Sequence, residues 1–464
     1  MRAEPAATAE SSPAVSVRRE GARWLLPAGA LLLLAVLAVY VADLANHLSS
    51  MAAMRDLTVY RDGGLIVRHV TPAYDAHRAS PLYDWTGQNG VQFTYPPFAA
   101  VVFAVASVLS WTAMRWAMTL VSLAALGLSM WLVFGALGSA GSGGTTPQTP
   151  RYAGRREVRL GATLGVSALA LLTEPVQQTL ALGQVNLVLM LLVVADLLDE
   201  PYGRTRWWHG IGIGLAAGVK LTPLIFIPYL LLIRRYRQAA VAAGVFVATV
   251  ALGYAVLPAD SDTYWVHRLF LNANRIVFLG TRGNQSLRGT LTRLAGSVTS
   301  GTAPWIAALI LVAVVGLLAA AVLYRAGQPV AGLLACALTG LLVSPLTWDH
   351  HWVWVAPALA LLAHLGARAR GLVRAAWWVA GGVLVLVFGA WPQLWNLSQA
   401  GLTPAGLFWY GPTHYFATGD RPWYPEFHWH GLQLLAGNTF VLAGLLGLAA
   451  LSVAAFQVRH LLDR

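Results

Sequence analysis

The feature that most restricts this chain is the return, again and again, of apolar runs as long as a bilayer is thick. "WIAALILVAVVGLLAAAVL", residues 305–323, has nineteen residues and no ionisable group. A helix of that length rises about 1.5 Å per residue and so crosses roughly 30 Å of hydrocarbon. Between such runs there is little charge: 11% of the residues are charged, against about 25% in an ordinary soluble domain. Backbone amides in lipid must be bonded within the protein, which leaves helices or closed barrels. The runs are continuous rather than alternating, and that selects helices. The expected fold class is all-α, a polytopic integral membrane protein.

Twelve transmembrane helices are expected, at about 23–45, 113–137, 159–173, 185–199, 207–220, 223–234, 238–257, 303–324, 329–346, 351–366, 373–391 and 434–457. Several are short of a full crossing, 223–234 above all, which suits a broken or tilted helix. The apolar piece from Pro96 to Ser110 follows "FTYPP" and has half a span's length, so it reads as a re-entrant or juxtamembrane helix. Residues 1–22, small, polar and Pro-containing, read as a disordered tail. Residues 23–457 then form a single transmembrane domain, and 458–464 a C-terminal end. The run after Arg23 is too long for a signal-peptide core and ends without a clear cleavage site, so it is read as the first span.

The net charge of +12 would fit a nucleic-acid partner, but the arginines fall in short clusters between spans, as membrane topology requires. With the N-terminus cytoplasmic, 19 of the 31 basic residues lie in the short inner loops and ends, and 12 in the longer outer ones. Counting Pro96–Ser110 as a full span would invert every later loop and put the arginine-rich ones outside. Cys336 stands in an apolar run and reads as packing.

This arrangement gathers the polar chemistry on the outer face, in the loops at about 46–112, 174–184, 258–302, 344–351 and 392–433. Asp56, soon after the first span, suits a general base, although Asp62, Asp75 and Asp84 compete with it and a solvated loop acid or helix cap is the plain alternative. Tyr95 in "FTYPPF" stands just before a helix and fits an interfacial anchor equally well. In "TEPVQQTLALGQVN", Glu174, Gln184 and Asn186 could bond sugar hydroxyls or cap helices. Lys220, the only lysine, sits at an outer helix end, where it would meet a phosphate or simply snorkel. Arg268, Arg275, Arg282, Arg288 and Arg293 suit an amphipathic surface helix that holds a lipid phosphate. "SPLTWDHHWVW" (344–354) carries His350 and His351 among three tryptophans that would mark the membrane interface. Adjacent histidines point to different helix faces, which makes metal the weakest of their readings.

The stretches "DLTVYRDGG", "FTYPPFAAVVF", "EPVQQTLALGQVNLVLMLLV", "GVKLTP", "NQSLRG" and "SPLTWDHHWVW" occur in an order that resembles the actinobacterial polyprenol-phosphate-mannose-dependent α-(1→2) mannosyltransferases. These are integral-membrane glycosyltransferases of the GT-C class that act on phosphatidylinositol mannosides, lipomannan and lipoarabinomannan. The likeness covers residues 50 to 357. It implies a GT-C fold in the plasma membrane, with both termini cytoplasmic and the active site extracytoplasmic. It implies a polyprenyl-phosphate-mannose donor, a mannosylated glycolipid acceptor and inversion at the anomeric carbon. It maps the catalytic aspartate onto Asp56 and a site histidine onto His350 or His351. Tyr95, Glu174, Gln184, Asn186, Lys220, Asn284, Gln285 and Arg288 complete the candidate substrate-binding set. A monophosphate leaving group offers no diphosphate for a divalent ion to clamp, so no metal or other cofactor is expected. The competing class is a transporter or flippase of a lipid-linked sugar, which should carry polar residues near the midplane and on both faces.

Overall fold

Each of the twelve apolar runs carries a helix, and no strand is found among the described residues. The structure, a computed structural model, describes residues 24–39, 54–70, 80–84, 92–139, 156–198, 206–273, 279–296, 302–390 and 425–462, with 42, 406 and 407 besides. The predicted tail 1–22, Asp75, Arg275 and most of the tract 392–433 lie outside the described residues.

Among the described residues, five helices are long and apolar enough to cross a membrane: Trp111–Gly138, Tyr236–Val256, Pro304–Arg325, Gly371–Phe388 and Thr439–His460. The other runs give shorter helices, and local chemistry shows why. Ile211–Val219 stops where Lys220 turns extended (φ −151°, ψ 128°) ahead of Pro223, and a 3-10 turn, Thr222–Ile225, leads into Phe226–Leu232. A charged side chain gains by leaving the apolar layer, and Pro223, which has no N–H to give, stands in the first turn of the next helical segment. Glu174–Leu182 and Asn186–Leu198 meet at 117°, bent about the polar link Gly183–Val185. Pro96–Ser110 yields the ten-residue helix Pro97–Ala106, with Pro97 in its first turn, where a missing N–H costs nothing.

The surface is that of a protein dissolved in lipid. Leu372, Val379 and Leu386 on Gly371–Phe388 are exposed, as are Leu311 and Val314 on Thr302–Arg325. Apolar side chains cover these helices on nearly all sides, which water would not tolerate over such an area.

Arg55–Val67 carries Asp56 in its first turn. Leu57, Tyr60, Gly63, Gly64 and Ile66 form its buried side, and the glycines let it lie against Pro97–Ala106. A Cβ on Gly64 would stand 2.5 Å from the Phe103 carbonyl oxygen, backbone that cannot step aside. Gly64→Val should therefore drive the two helices apart, at about 1–3 kcal/mol of overpacking. The expected outcome is a lowered unfolding midpoint together with reduced turnover; an unchanged midpoint in a thermal-unfolding assay would contradict this packing. The entry of the same helix is held from outside, because the Met54 amide donates to the Ala181 carbonyl (2.9 Å). Gly183 ends Glu174–Leu182 in left-handed backbone (φ 69°), where glycine is favoured, and a Cβ there would meet Leu57 at 2.7 Å. That close approach sets Gln184 beside Asp56.

Candidate active site

Asp56 stands half-buried in the first turn of Arg55–Val67, and its Oδ2 accepts a hydrogen bond from Gln184 Nε2. The other end of the Gln184 amide is held just as firmly. Tyr60 Oη donates to Gln184 Oε1 at 2.7 Å and lies 2.9 Å from Tyr95 Oη, which is itself 3.1 Å from Gln184 Nε2. A phenol at one end and a carboxylate at the other fix which way the amide points. Burial first, then the nearby Asp56 carboxylate, push the Tyr95 phenol well above its usual range. Burial, followed by Tyr95 and Asp56, does the same to Tyr60. Both phenols therefore stay protonated. The remaining oxygen of Asp56 has no hydrogen-bond partner among the described residues.

Lys220 forms the second half of the site. Its Nζ donates to Asn186 Oδ1 (2.9 Å), lies 2.7 Å from His351 Nε2, and sits 5.7 Å from the centre of the Tyr95 ring. An ammonium has donors only, so against a protonated Lys220 the His351 Nε2 accepts and the imidazole proton sits on Nδ1. His351 Nδ1 is buried and has no hydrogen-bond partner among the described residues. Tyr95 thus joins the cation to the Asp56 carboxylate through Gln184. Beside Asn186, Lys220 and His351 opens a cleft whose walls are Leu189, Met190, Val193, Phe226 and Leu341. One cation and two polar groups at the mouth of an apolar cleft suit a ligand with an anionic head and a hydrocarbon body.

His350 faces elsewhere. Its Nδ1 pairs with Asp349 Oδ1 at 3.0 Å, and Glu174 lies close to Asp349. Asp349 Oδ1 accepts from both the His350 amide, at 2.8 Å, and its ring. All three side chains are buried. The backbone carbonyl of His350 accepts from Asn186 Nδ2 (2.9 Å) and Thr179 Oγ1 (3.0 Å), which locks the histidine turn to the bent helix pair. A short antiparallel contact between Asn284 and Trp348 holds the turn from the other side.

The structure brings Asp56, Tyr95, Gln184, Asn186, Lys220 and His351 into one network, with His350 and Glu174 directly behind it. Asn284 and Gln285 lie apart from it. Asn284 serves the Thr347 amide and the Leu279 carbonyl, and Gln285 serves Arg282, Gly437 and Phe440. Arg288 rests over the Trp305 ring at 4.8 Å. Two sequence expectations are corrected. Trp352 does not mark the interface: it is 1% exposed, donates to the Gln285 carbonyl and packs on Phe388 and Phe440. Arg293 does not face a membrane surface: it is 2% exposed and binds Asn438 and three loop carbonyls, because the helix Leu287–Ala295 turns it inward. Sequence reasoning overlooked Tyr60. The signal was present, since Tyr60 follows Asp56 by four residues and so shares its helix face.

Comparison with known proteins adds the following. Residues 93–345 match glycosyltransferase family 87. A polyprenol-phosphate-mannose-dependent alpha-(1-2)-phosphatidylinositol mannoside mannosyltransferase of Mycobacterium tuberculosis is 36% identical over 293 residues, 63% of this chain and 67% of that protein. A polyprenol-phosphate-mannose-dependent alpha-(1-2)-phosphatidylinositol pentamannoside mannosyltransferase of Mycolicibacterium smegmatis is 35% identical over 370 residues, 78% of this chain and 82% of that one. No solved structure matches.

Proposed function

This chain belongs to glycosyltransferase family 87, and from that premise we propose that it transfers mannose from polyprenyl-phosphate-mannose to a phosphatidylinositol mannoside or a related lipid glycan, forming an α-(1→2) link. The observation that carries the reading is the polar network beside an apolar-walled cleft, with a carboxylate at one end and the chain's one lysine at the other. That the chain is a multi-pass membrane glycosyltransferase follows from its family and its apolar helices. The donor, acceptor and linkage are carried over from the relatives' names. The topology proposed with them is a GT-C arrangement of about twelve crossings, some broken or tilted. Both termini are then cytoplasmic and the network faces the extracytoplasmic side.

In this mechanism Asp56 takes the proton of the acceptor hydroxyl as that oxygen attacks the anomeric carbon. Gln184, oriented by Tyr60 and Tyr95, keeps the carboxylate aimed. The phosphate departs from the opposite face of the sugar, which inverts the centre, as in enzymes that pass through an oxocarbenium-like state in a single displacement. Lys220 supplies the charge the leaving phosphate needs, with Asn186 and His351 fixing its position and the apolar cleft receiving the polyprenyl chain. His350, held by Asp349, keeps the turn that carries His351 in place. Asn284, Gln285 and Arg288 shape the outer loops around the donor. Nothing in the arrangement favours a transporter.

The test is product analysis. Purified protein in proteoliposomes, given polyprenyl-phosphate-mannose and a panel of mannosylated acceptors, should yield an added mannose that an α-mannosidase removes. Transfer from GDP-mannose in place of the lipid donor would refute the reading. EDTA should leave the rate unchanged, because a monophosphate leaving group is served by one ammonium and the Lys220 charge repels a cation from His351. Inhibition by EDTA that a divalent ion reverses would overturn that step.

A further inference from the structure

A guanidinium taken out of water must have its N–H donors met by acceptors, and the buried Arg293 draws its acceptors from two distant segments. Nε and Nη2 donate to Asn438 Oδ1, at 3.1 and 2.6 Å, just ahead of the last helix, Thr439–Leu462. Nη1 donates to the carbonyls of Thr281 (2.8 Å), Asn284 (3.1 Å) and Gly280 (3.4 Å). Glu426, itself buried, accepts from the Arg282 amide at 3.3 Å and lies near enough to favour the arginine's charge.

Carbonyl dipoles that converge on one point repel each other unless a positive charge stands there. With the carbonyls of 280, 281 and 284 gathered on Arg293, Gly283 and Gln285 are left to face the histidine turn. The Gly283 carbonyl accepts from the Asp349 amide (3.1 Å), and the Gln285 amide donates to the Thr347 carbonyl (2.7 Å). The Thr347 amide donates to Asn284 Oδ1 at 3.1 Å, and a Cβ on Gly283 would stand 3.0 Å from the Trp348 ring. The next residues of the turn are His350 and His351, and His351 Nε2 lies 2.7 Å from Lys220 Nζ. Burial alone asks only that Arg293 find acceptors. Here they belong to the loop that sets the turn.

We propose that Arg293 is a positioning residue for mannosyl transfer: through the loop 280–285 it holds the turn that places His351 against Lys220. The inference rests on the reading of Lys220 as the group that meets the leaving phosphate. The guanidinium bonds to neither Lys220 nor His351, so its effect passes through backbone. Lysine at 293 would keep the charge but gather its donors on one nitrogen, unable to span Asn438 and the loop carbonyls together.

The experiment compares Arg293→Lys and Asn438→Ala with the wild type in proteoliposomes, by hydrogen–deuterium exchange and by transfer from polyprenyl-phosphate-mannose. In Arg293→Lys the amides of 344–354 should exchange about tenfold faster or more, while those of Arg55–Val67 keep the wild-type rate. Asn438→Ala, which leaves the loop carbonyls bonded, should move the same amides in the same direction by less. In Arg293→Lys kcat should fall about 10–10²-fold, as a displacement near 1 Å costs, with little change in KM for the donor. In a His351→Ala background, which keeps Lys220, the same substitution should lower kcat by no more than about twofold, because no histidine remains to be placed. Losses that multiply across the two substitutions, or unchanged exchange in 344–354, overturn the proposal. Faster exchange over the whole chain assigns Arg293 to general stability and overturns it too. Exchange needs no turnover: a wild type that transfers no mannose refutes the function, while 344–354 still reports whether Arg293 sets the turn. Should Arg293→Lys fail to fold, Asn438→Ala carries both measurements, and unchanged exchange and kcat there overturn the proposal.

Discussion

Asp56→Asn is expected to lower mannosyl transfer by about 10²–10⁴-fold, the range that a positioned general base contributes. The substitution keeps the volume of the side chain and leaves an oxygen to accept from Gln184 Nε2, so the Tyr60–Tyr95–Gln184 network survives. What disappears is the capacity to take a proton. The loss should therefore appear in kcat, with little change in the unfolding midpoint or in the concentration of lipid donor needed for half-maximal rate. Asp56→Glu is a sharper probe. It restores the carboxylate but displaces it by roughly 1 Å, enough to cost about 10²-fold when geometry rather than charge alone matters. Turnover by Asp56→Asn within tenfold of the wild type would remove Asp56 from the base role.

Lys220→Met should lower kcat by about 10²–10³-fold, the usual effect of deleting one group that stabilises developing negative charge. Methionine preserves most of the length and apolar stem but leaves Asn186 Oδ1 and His351 Nε2 without their shared donor. Stranding those groups adds a stability cost of about 1–3 kcal/mol, readable as a lower midpoint. The two effects separate because Lys220→Arg keeps the charge. A planar guanidinium fits poorly where a compact ammonium bridges two acceptors, so it should recover stability more fully than rate. Wild-type turnover in Lys220→Met would show that the lysine only seals the cleft mouth.

Much of the site was legible before any coordinate, and for a definite reason. Asp56, Gln184, Asn186, Lys220 and His351 are polar residues beside apolar runs, and such residues are expensive unless they pair with one another or with a ligand. Lys220 declares itself by being the one lysine, at a helix end. What single residues could not reveal was pairing. Nothing in "DHH" says that His350 turns to Asp349 while His351 turns to Lys220, because the division depends on two rings at 88° to each other in a 3-10 turn. Asn284 and Gln285 looked like Arg288, polar residues of one outer loop. In the fold the two amides clamp backbone on the last helix and the histidine turn, while Arg288 lies on Trp305. Arg293 and Trp352 misled for the same reason: a buried arginine or tryptophan needs partners from distant segments, and Asn438 and Gln285 are 145 and 67 residues away.

By itself the sequence determined that this chain is helical and lives in lipid, since backbone amides in a bilayer permit little else. It also determined that a carboxylate, a lysine and a histidine pair stand at the edges of its apolar runs. Only the tertiary structure decided which of them meet. That choice rests on contacts no local pattern encodes: a glycine pair that lets Arg55–Val67 approach Pro97–Ala106, and a left-handed Gly183 that swings Gln184 onto Asp56. It also decided helix length. The runs of hydrophobicity are continuous on paper, yet proline, glycine and the pull of polar side chains toward one another break several of them short of a full crossing, and the site forms where they break.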